Sequence, residues 1–334
     1  MSIDSILLIG GSGFAGGWAT KQIRDAYPDQ HLLIGARDME RAQTMADVLG
    51  RAEAVAIDLS EEDLGLGDLP ISAVAVFFAD PSVAALRFAQ SRCVPYLNIA
   101  PALFELGPEM AAYMHRPDTS AVVLGTEWMV GATTIFALRF AEAFDLIEEV
   151  RIGAILDEKD DFGPSAMTDY NRQTDVMTAA LARKEGAFFW RMGDDRETVI
   201  HAADGTATNA VAASYNDVLA LSTALHVQNL QFDLAIDVSS SRRRGERPST
   251  EILIEIAGTD RAGAAMRTRH AVISPGGQMP LTGLGAALVL ERLTGLDGNP
   301  ATPSGLYFPY QLLNPETFFA RFEQIGGIVQ EFPA

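Results

Sequence analysis

The first third of the chain alternates short apolar runs with stretches of helical period. The first run covers residues 5–9, and others cover 31–36, 52–57, 71–79, 94–99 and 120–124. Runs this short and this uniformly apolar predict strands covered on both faces. Between them, 14–27, 39–49, 82–92 and 103–115 place apolar residues at helical spacing. The stretch after Asp58 is short and glycine-rich, with room for a single turn. Strand and helix in strict alternation require parallel pairing through right-handed crossovers. The expected fold class is α/β, a Rossmann-type doubly wound parallel sheet of six strands.

The texture changes near Val130. A helix is expected over 132–144, followed by strands over 150–156, 188–192, 198–203, 230–238, 251–257 and 264–273, several with period-two alternation. Helices over 168–183 and 216–225 interrupt the series. This pattern predicts a second, α+β domain on a mostly antiparallel sheet, open to solvent on one face. Two further helices, 281–293 and 315–325, are expected to return to the first domain. The expected organisation is a Rossmann domain of residues 1–130, completed by 280–334, and a second, α+β domain of 131–279.

The turn after the first run carries the chemistry. It reads Gly10, Gly11, Ser12, Gly13, Phe14, Ala15, Gly16, and it joins a strand to a helix. In that context Gly11 and Gly13 let the backbone approach a pyrophosphate, and Gly16 lets the helix pack on the strand. The helix N-terminus then points its N–H groups at the anion. At the end of the second strand, where an NAD site carries a carboxylate on the ribose, stand Gly35, Ala36, Arg37 and Asp38. Arg37 is placed to grip a 2′-phosphate, with Arg41 one helical turn on, so NADP(H) is favoured over NAD(H). The alternatives are that Arg37 stacks on adenine or faces solvent while Asp38 contacts the ribose. Asp58, past the third strand, either reaches the adenine edge or caps the next turn.

Ligands of such sheets bind beyond the carboxyl ends of the strands. That rule selects Ala79, Asp80 and Pro81 after the fourth strand, Asn98 and Ala100 after the fifth, and Thr126 and Glu127 after the sixth. Asp80 and Glu127 are the candidate proton carriers or amine binders, and the alternative for each is a loop or capping carboxylate. Tyr96, His201 of the second domain and the arginine-rich run 239–247 complete the candidates. The run reads more readily as a solvated hairpin tip.

Composition narrows the class. Of 334 residues 48% are hydrophobic, enough for two packed cores, and the net charge is −19. An acidic surface repels nucleic-acid backbones and anionic lipid, and no apolar stretch is long enough for a membrane span. Without a basic leader at the N-terminus, a cytoplasmic protein acting on a small molecule is expected. The five histidines are scattered singly, so no metal site is expected. Cys93 is expected to be a small buried hydrophobe. None of the seven tyrosines has a lysine four residues later, which excludes the Tyr–Lys chemistry of short-chain dehydrogenases, and no Gly-x-Ser-x-Gly elbow is present.

The run from Ile9 to Gly16, the segment from Ile34 to Ala42, Asp80-Pro81, the strand Val94-Pro95-Tyr96-Leu97-Asn98-Ile99-Ala100, and Gly305-Leu306-Tyr307-Phe308-Pro309 with Asn314-Pro315-Glu316 together resemble the saccharopine dehydrogenase-like family of NAD(P)-dependent oxidoreductases. The resemblance implies oxidation or reduction of a carbon–nitrogen bond in an amino acid, imine or polyamine precursor. It also implies a homodimer joined through the second domain. Asn98 stands where the family often has Asp, and Asp80 where it usually has Gly. Other members are enoyl reductases, so reduction of C=C or C=O is a second reading. A non-catalytic NADP(H) sensor is a third.

Overall fold

In the computed structural model the described residues are 4–124, 127–161 and 163–332, so Thr126 and the first three residues lie outside them. The opening alternation becomes β1 (Ser5–Ile9), α1 (Phe14–Ala26), β2 (Leu32–Ala36), α2 (Met39–Leu49), β3 (Ala52–Ala56), β4 (Ile71–Val76), α3 (Ala84–Ser91), β5 (Tyr96–Asn98), α4 (Leu106–His115) and β6 (Ala121–Val123). There follow α5 (Ala132–Ala141), β7 (Leu146–Asp157), α6 (Gly163–Val176), β8 (Ala179–Lys184), β9 (Ala187–Met192), β10 (Glu197–His201), β11 (Ala207–Ala212) and α7 (Asp217–Ala224). The chain continues through β12 (Asn229–Asp237), α8 (Ser240–Arg243), β13 (Ser249–Thr259), β14 (Ala265–Pro275) and α9 (Met279–Thr294). It ends with β15 (Gly305–Tyr307), α10 (Pro315–Gln324) and β16 (Ile328–Phe332).

The chain divides into two compact units. One comprises Met1–Val130, Gly163–Asp169 and Thr282–Leu313, and the other Gly131–Phe162, Tyr170–Leu281 and Asn314–Ala334. The first unit holds a seven-stranded sheet in the order β15-β6-β5-β4-β1-β2-β3, and every pairing in it is parallel. Its central strands are fully apolar because both faces are covered. Ile6, Leu7 and Leu8 of β1 and Ala73, Val74 and Ala75 of β4 have no exposed surface. The seventh strand, β15, pairs Gly305–Tyr307 with Ala121–Val123 of β6 and is too short to show a period in the sequence.

The second unit is built on a mostly antiparallel sheet, with β12 and β7 its parallel pair. Along β13, Ile252, Ile254 and Ile256 are fully buried, and so is Leu253 on the opposite face, at 3% exposure. The sheet centre is therefore covered on both sides rather than open on one. Leu253 packs with Ile155, Ala235 and Ala271, under Ala202 and Ala203 of the β10–β11 turn.

Three sequence expectations are corrected. The helix expected over 168–183 ends at Val176, and Ala179–Lys184 is strand β8. Its alanines and leucine favour helix, but pairing of Ala180 with Arg191 and of Ala182 with Phe189 on β9 overrides that preference. The helix expected over 315–325 belongs to the second unit, not the first. Phe318 and Phe322 of α10 meet the Phe136 ring of α5 at 5.7 and 5.0 Å, and β16 pairs with β14. Cys93 is exposed rather than buried, in a left-handed turn (φ +56) at the end of α3.

The run 239–247 is solvent-exposed from Arg243 onward, as expected of a tip, but its start is buried. Ser239 and Ser240 have no exposed surface, and Ser239 donates from its N–H and its hydroxyl to Asp157 Oδ2, at 2.8 and 2.6 Å. Arg242 pairs with Asp157 and Glu158, Arg243 with Asp204, and Arg244 with Glu246. These guanidinium groups are thus neutralised by the chain's own carboxylates. Nearby, Asp160 is 9% exposed, and its Oδ2 accepts hydrogen bonds from the Gln278 N–H and the Thr250 hydroxyl. Burial, helped by the charges of Asp157 and Asp161, pushes its carboxyl up to about 6. The folded state therefore binds a proton that the unfolded state, titrating near 4, releases. That stability is fully present below about pH 4 and is lost as pH rises through about 6, amounting to roughly 3 kcal/mol. Denaturant unfolding across that range should show Asp160→Asn flatter than wild type, and superimposable pH profiles would contradict this assignment.

Candidate functional site

β1 lies between β4 and β2, where the chain's strand order reverses. Sheets of this type take ligands at that switch point. The turn after Ile9 begins with Gly10 at φ +84, and its N–H donates to the Gly35 carbonyl at 2.7 Å. Gly16 sits against this turn: a Cβ there would overlap the Gly10 carbonyl oxygen and stand 2.8 Å from Gly11 Cα. It seats α1 on the turn, the part its spacing predicts. At Gly13 the near neighbour of a Cβ would be the Gly10 carbonyl oxygen at 3.0 Å, so its outer side is open. Gly13 caps α1 without a side-chain hydrogen bond. The Gly17 N–H donates to the Gly13 carbonyl at 2.8 Å, and the amides ahead of it have no acceptor within the helix. A bare backbone bend backed by a helix N-terminus fits the pyrophosphate of a dinucleotide.

A cavity of about 820 Å³ opens beside the turn, between α1 and α2, lined by Ser12, Gly13, Gly17, Lys21, Asp38 and Arg41 among others. At the end of β2 a Cβ on Gly35 would stand 2.9 Å from the Ile57 side chain, so no carboxylate fits there. Asp38 caps α2, its Oδ1 accepting from the Arg41 N–H at 3.3 Å. Arg37 and Arg41 are both exposed, and neither forms a salt bridge among the described residues. The Arg41 guanidinium lies 5.7 Å from the centre of the Phe14 ring. Gly10 through Gly16, Arg37, Asp38 and Arg41 thus share one end of one sheet.

The remaining candidates are differently employed. Asp80 is buried, and its Oδ1 accepts from the Ser82 N–H and hydroxyl while Oδ2 accepts from the Ala85 N–H at 2.9 Å. Both oxygens therefore secure the start of α3, between half-buried Ala79 and exposed Pro81. Asn98 Oδ1 accepts from the Ala100 N–H at 3.0 Å and shapes the turn after β5. Asp58 does the same after β3, accepting from the Ser60 hydroxyl at 2.6 Å, which holds its carboxyl below the usual range. Tyr96 has no exposed surface and belongs to the sheet's apolar core. Burial pushes its hydroxyl well up, and Glu109 Oε1, 3.5 Å away, adds to the rise. A tyrosine so enclosed is a packing residue. His201 is an exposed residue at the end of β10, in the other unit.

Glu127, in the connection after β6 and four residues past its last residue, is 1% exposed. Tyr310 follows β15, the parallel neighbour of β6, and its hydroxyl is raised by burial and then by the Glu127 charge. Carboxylate and phenol thus stand beyond the carboxyl ends of adjacent strands. Among the described residues no cluster of His, Cys, Asp and Glu is arranged to hold a metal ion, and no helix is long and apolar enough to cross a membrane.

No protein-family model matches the chain, and no curated protein sequence does. Solved structures do match. Apo saccharopine dehydrogenase (L-Glu forming) from Saccharomyces cerevisiae is similar with a TM-score of 0.67 at 13% identity, over 99% of this chain and 100% of that one. The chain shares the fold of this saccharopine dehydrogenase. Homospermidine synthase from Legionella pneumophila, in complex with NAD, shares this fold with a TM-score of 0.68 at 10% identity, over 100% of this chain and 92% of that one. An amine dehydrogenase from Mycobacterium smegmatis is similar at 0.54 and 14% identity, over 94% and 97%.

Within this saccharopine dehydrogenase-like fold, sequence reasoning missed Lys21 and Tyr310. Lys21 had a readable signal, since Gly13, Gly17 and Lys21 recur every fourth residue on one face of α1. Tyr310 had none, because its neighbour Glu127 lies far away in sequence.

Proposed function

We propose that the protein is an NADP(H)-dependent oxidoreductase acting on the carbon–nitrogen bond of a small, amino-acid-like metabolite. The observation that carries the coenzyme reading is the pair Arg37 and Arg41, two exposed guanidinium groups without carboxylate partners beside the glycine turn. In a chain of net charge −19, cations left unpaired at one place mark a site for an anion. Gly10 to Gly16 would hold the pyrophosphate, Arg37 and Arg41 the 2′-phosphate. The bound nicotinamide supplies or takes a hydride at its C4.

The chain's own contribution to the reaction rests on Glu127. Its buried carboxyl would exchange a proton with, or hold the charge opposite, a substrate amine, and its charge reaches the Tyr310 hydroxyl. Support for nitrogen chemistry comes from the similar structures, which include an amine dehydrogenase and an L-Glu-forming saccharopine dehydrogenase. The proposal takes the protein to be cytoplasmic, and takes the homodimer from the family resemblance. The test is NADPH oxidation against keto acid plus amine mixtures, enals and ketones. Turnover with the first class alone is expected. Turnover confined to enals or ketones would move the reaction to C=C or C=O, and tight NADPH binding without any turnover would make the protein a sensor.

A further inference from the structure

The second unit's sequence is interrupted at Gly163–Asp169, a short segment that belongs to the first unit although the residues on both sides of it do not. It docks at one place of note. Gly163, the first residue of α6, lies on the Phe14 ring so closely that a Cβ would overlap it, standing 2.7 Å from Cε2 and 2.8 Å from Cγ. The backbone there is left-handed, φ +75, so glycine is required both for space and for conformation. Phe14 is also the ring beneath the Arg41 guanidinium, 5.7 Å from its centre, within cation–π range. Gly163, Phe14 and Arg41 thus form a chain of contacts, and Phe14 is itself the first residue of α1, directly after the glycine turn.

A long exposed arginine has many rotamers, and one fixed on a ring loses less freedom when it grips an anion. We infer that Gly163 is a positioning residue for coenzyme selectivity: it clamps Phe14, and Phe14 presents Arg41 to the 2′-phosphate. The inference rests on the reading that the glycine turn holds NADP(H). It acts on the 2′-phosphate alone, because the pyrophosphate is held by backbone amides that Arg41 does not touch.

Calorimetric titration of the full-length protein with NADP⁺ and with NAD⁺ tests this. Gly163→Ala displaces the ring and should lower the NADP⁺:NAD⁺ affinity ratio roughly five-fold, the size of one lost cation–π contact, while NAD⁺ affinity holds. Phe14→Leu should lower the ratio equally without straining residue 163, and Phe14→Tyr, which keeps the ring, should restore it. A ratio unchanged in both Gly163→Ala and Phe14→Leu overturns the inference and leaves the coenzyme reading standing. Wild-type protein that binds neither dinucleotide overturns the coenzyme reading itself. A merely structural role for Gly163 would weaken both dinucleotides together, which also overturns the inference.

Discussion

Gly16→Val is expected to abolish dinucleotide binding and to cost on the order of 3 kcal/mol of stability, the upper end of what overpacking a tight site does. The atoms in the way are backbone, the Gly10 carbonyl oxygen and Gly11 Cα, and they cannot swing aside as a side chain would. Relief requires α1 to move off the turn, which carries its N-terminal amides away from the pyrophosphate. Gly16→Ala should act in the same direction with a smaller loss of stability. Gly107, inside α4, is the matched control: a Cβ there meets nothing within 4 Å. Gly107→Ala should leave binding intact and add roughly 0.5–1 kcal/mol, as glycine to alanine does in a helix. Denaturant unfolding and calorimetry on the three variants read both quantities. A well-folded Gly16→Val protein with wild-type affinity would show that the turn does not hold the ligand.

Arg37→Glu combined with Arg41→Glu should invert the coenzyme preference. Each guanidinium contact to a phosphate contributes about 1.5–3 kcal/mol, so the double variant should bind NADP⁺ at least ~100-fold more weakly. NAD⁺ lacks the 2′-phosphate and should bind as before or better, since a carboxylate at the end of β2 suits the ribose hydroxyls. The ratio of the two dissociation constants is the readout. Equal losses for the two dinucleotides would mean that neither arginine meets the 2′-phosphate. Asp38 is left untouched because its carboxylate caps α2.

The parallel sheet was legible because strands buried on both faces write uniform apolar runs, and its first six strands lie where those runs do. The glycine turn was legible for a related reason: the backbone needs glycine there, at Gly10 for its positive φ and at Gly16 for space. Where a side chain's partner is far away in sequence, the reading failed. Ser239 to Ser241 and the arginines after them look like a solvated tip, yet Asp157 takes Ser239 and Arg242, and Glu251 accepts from the Ser240 N–H. Tyr96 looked available because it stands near the carboxyl end of a strand, but β5 is buried on both faces. Asp80 was visible as a carboxylate at the right strand end, and its hydrogen bonds to Ser82 and Ala85 follow the capping alternative that an Asp-Pro turn allows. Residue 163 carried no signal at all, because its reason for being glycine is a ring almost 150 positions earlier.

The bend between β1 and α1 is expected to bind a phosphorylated nicotinamide dinucleotide. Isothermal titration of the purified protein with NADP⁺, alongside NAD⁺, tests it most directly. Saturable binding of one dinucleotide per chain, tighter for NADP⁺, is the predicted outcome. Absence of heat with both, together with unmoved melting temperatures, would contradict it.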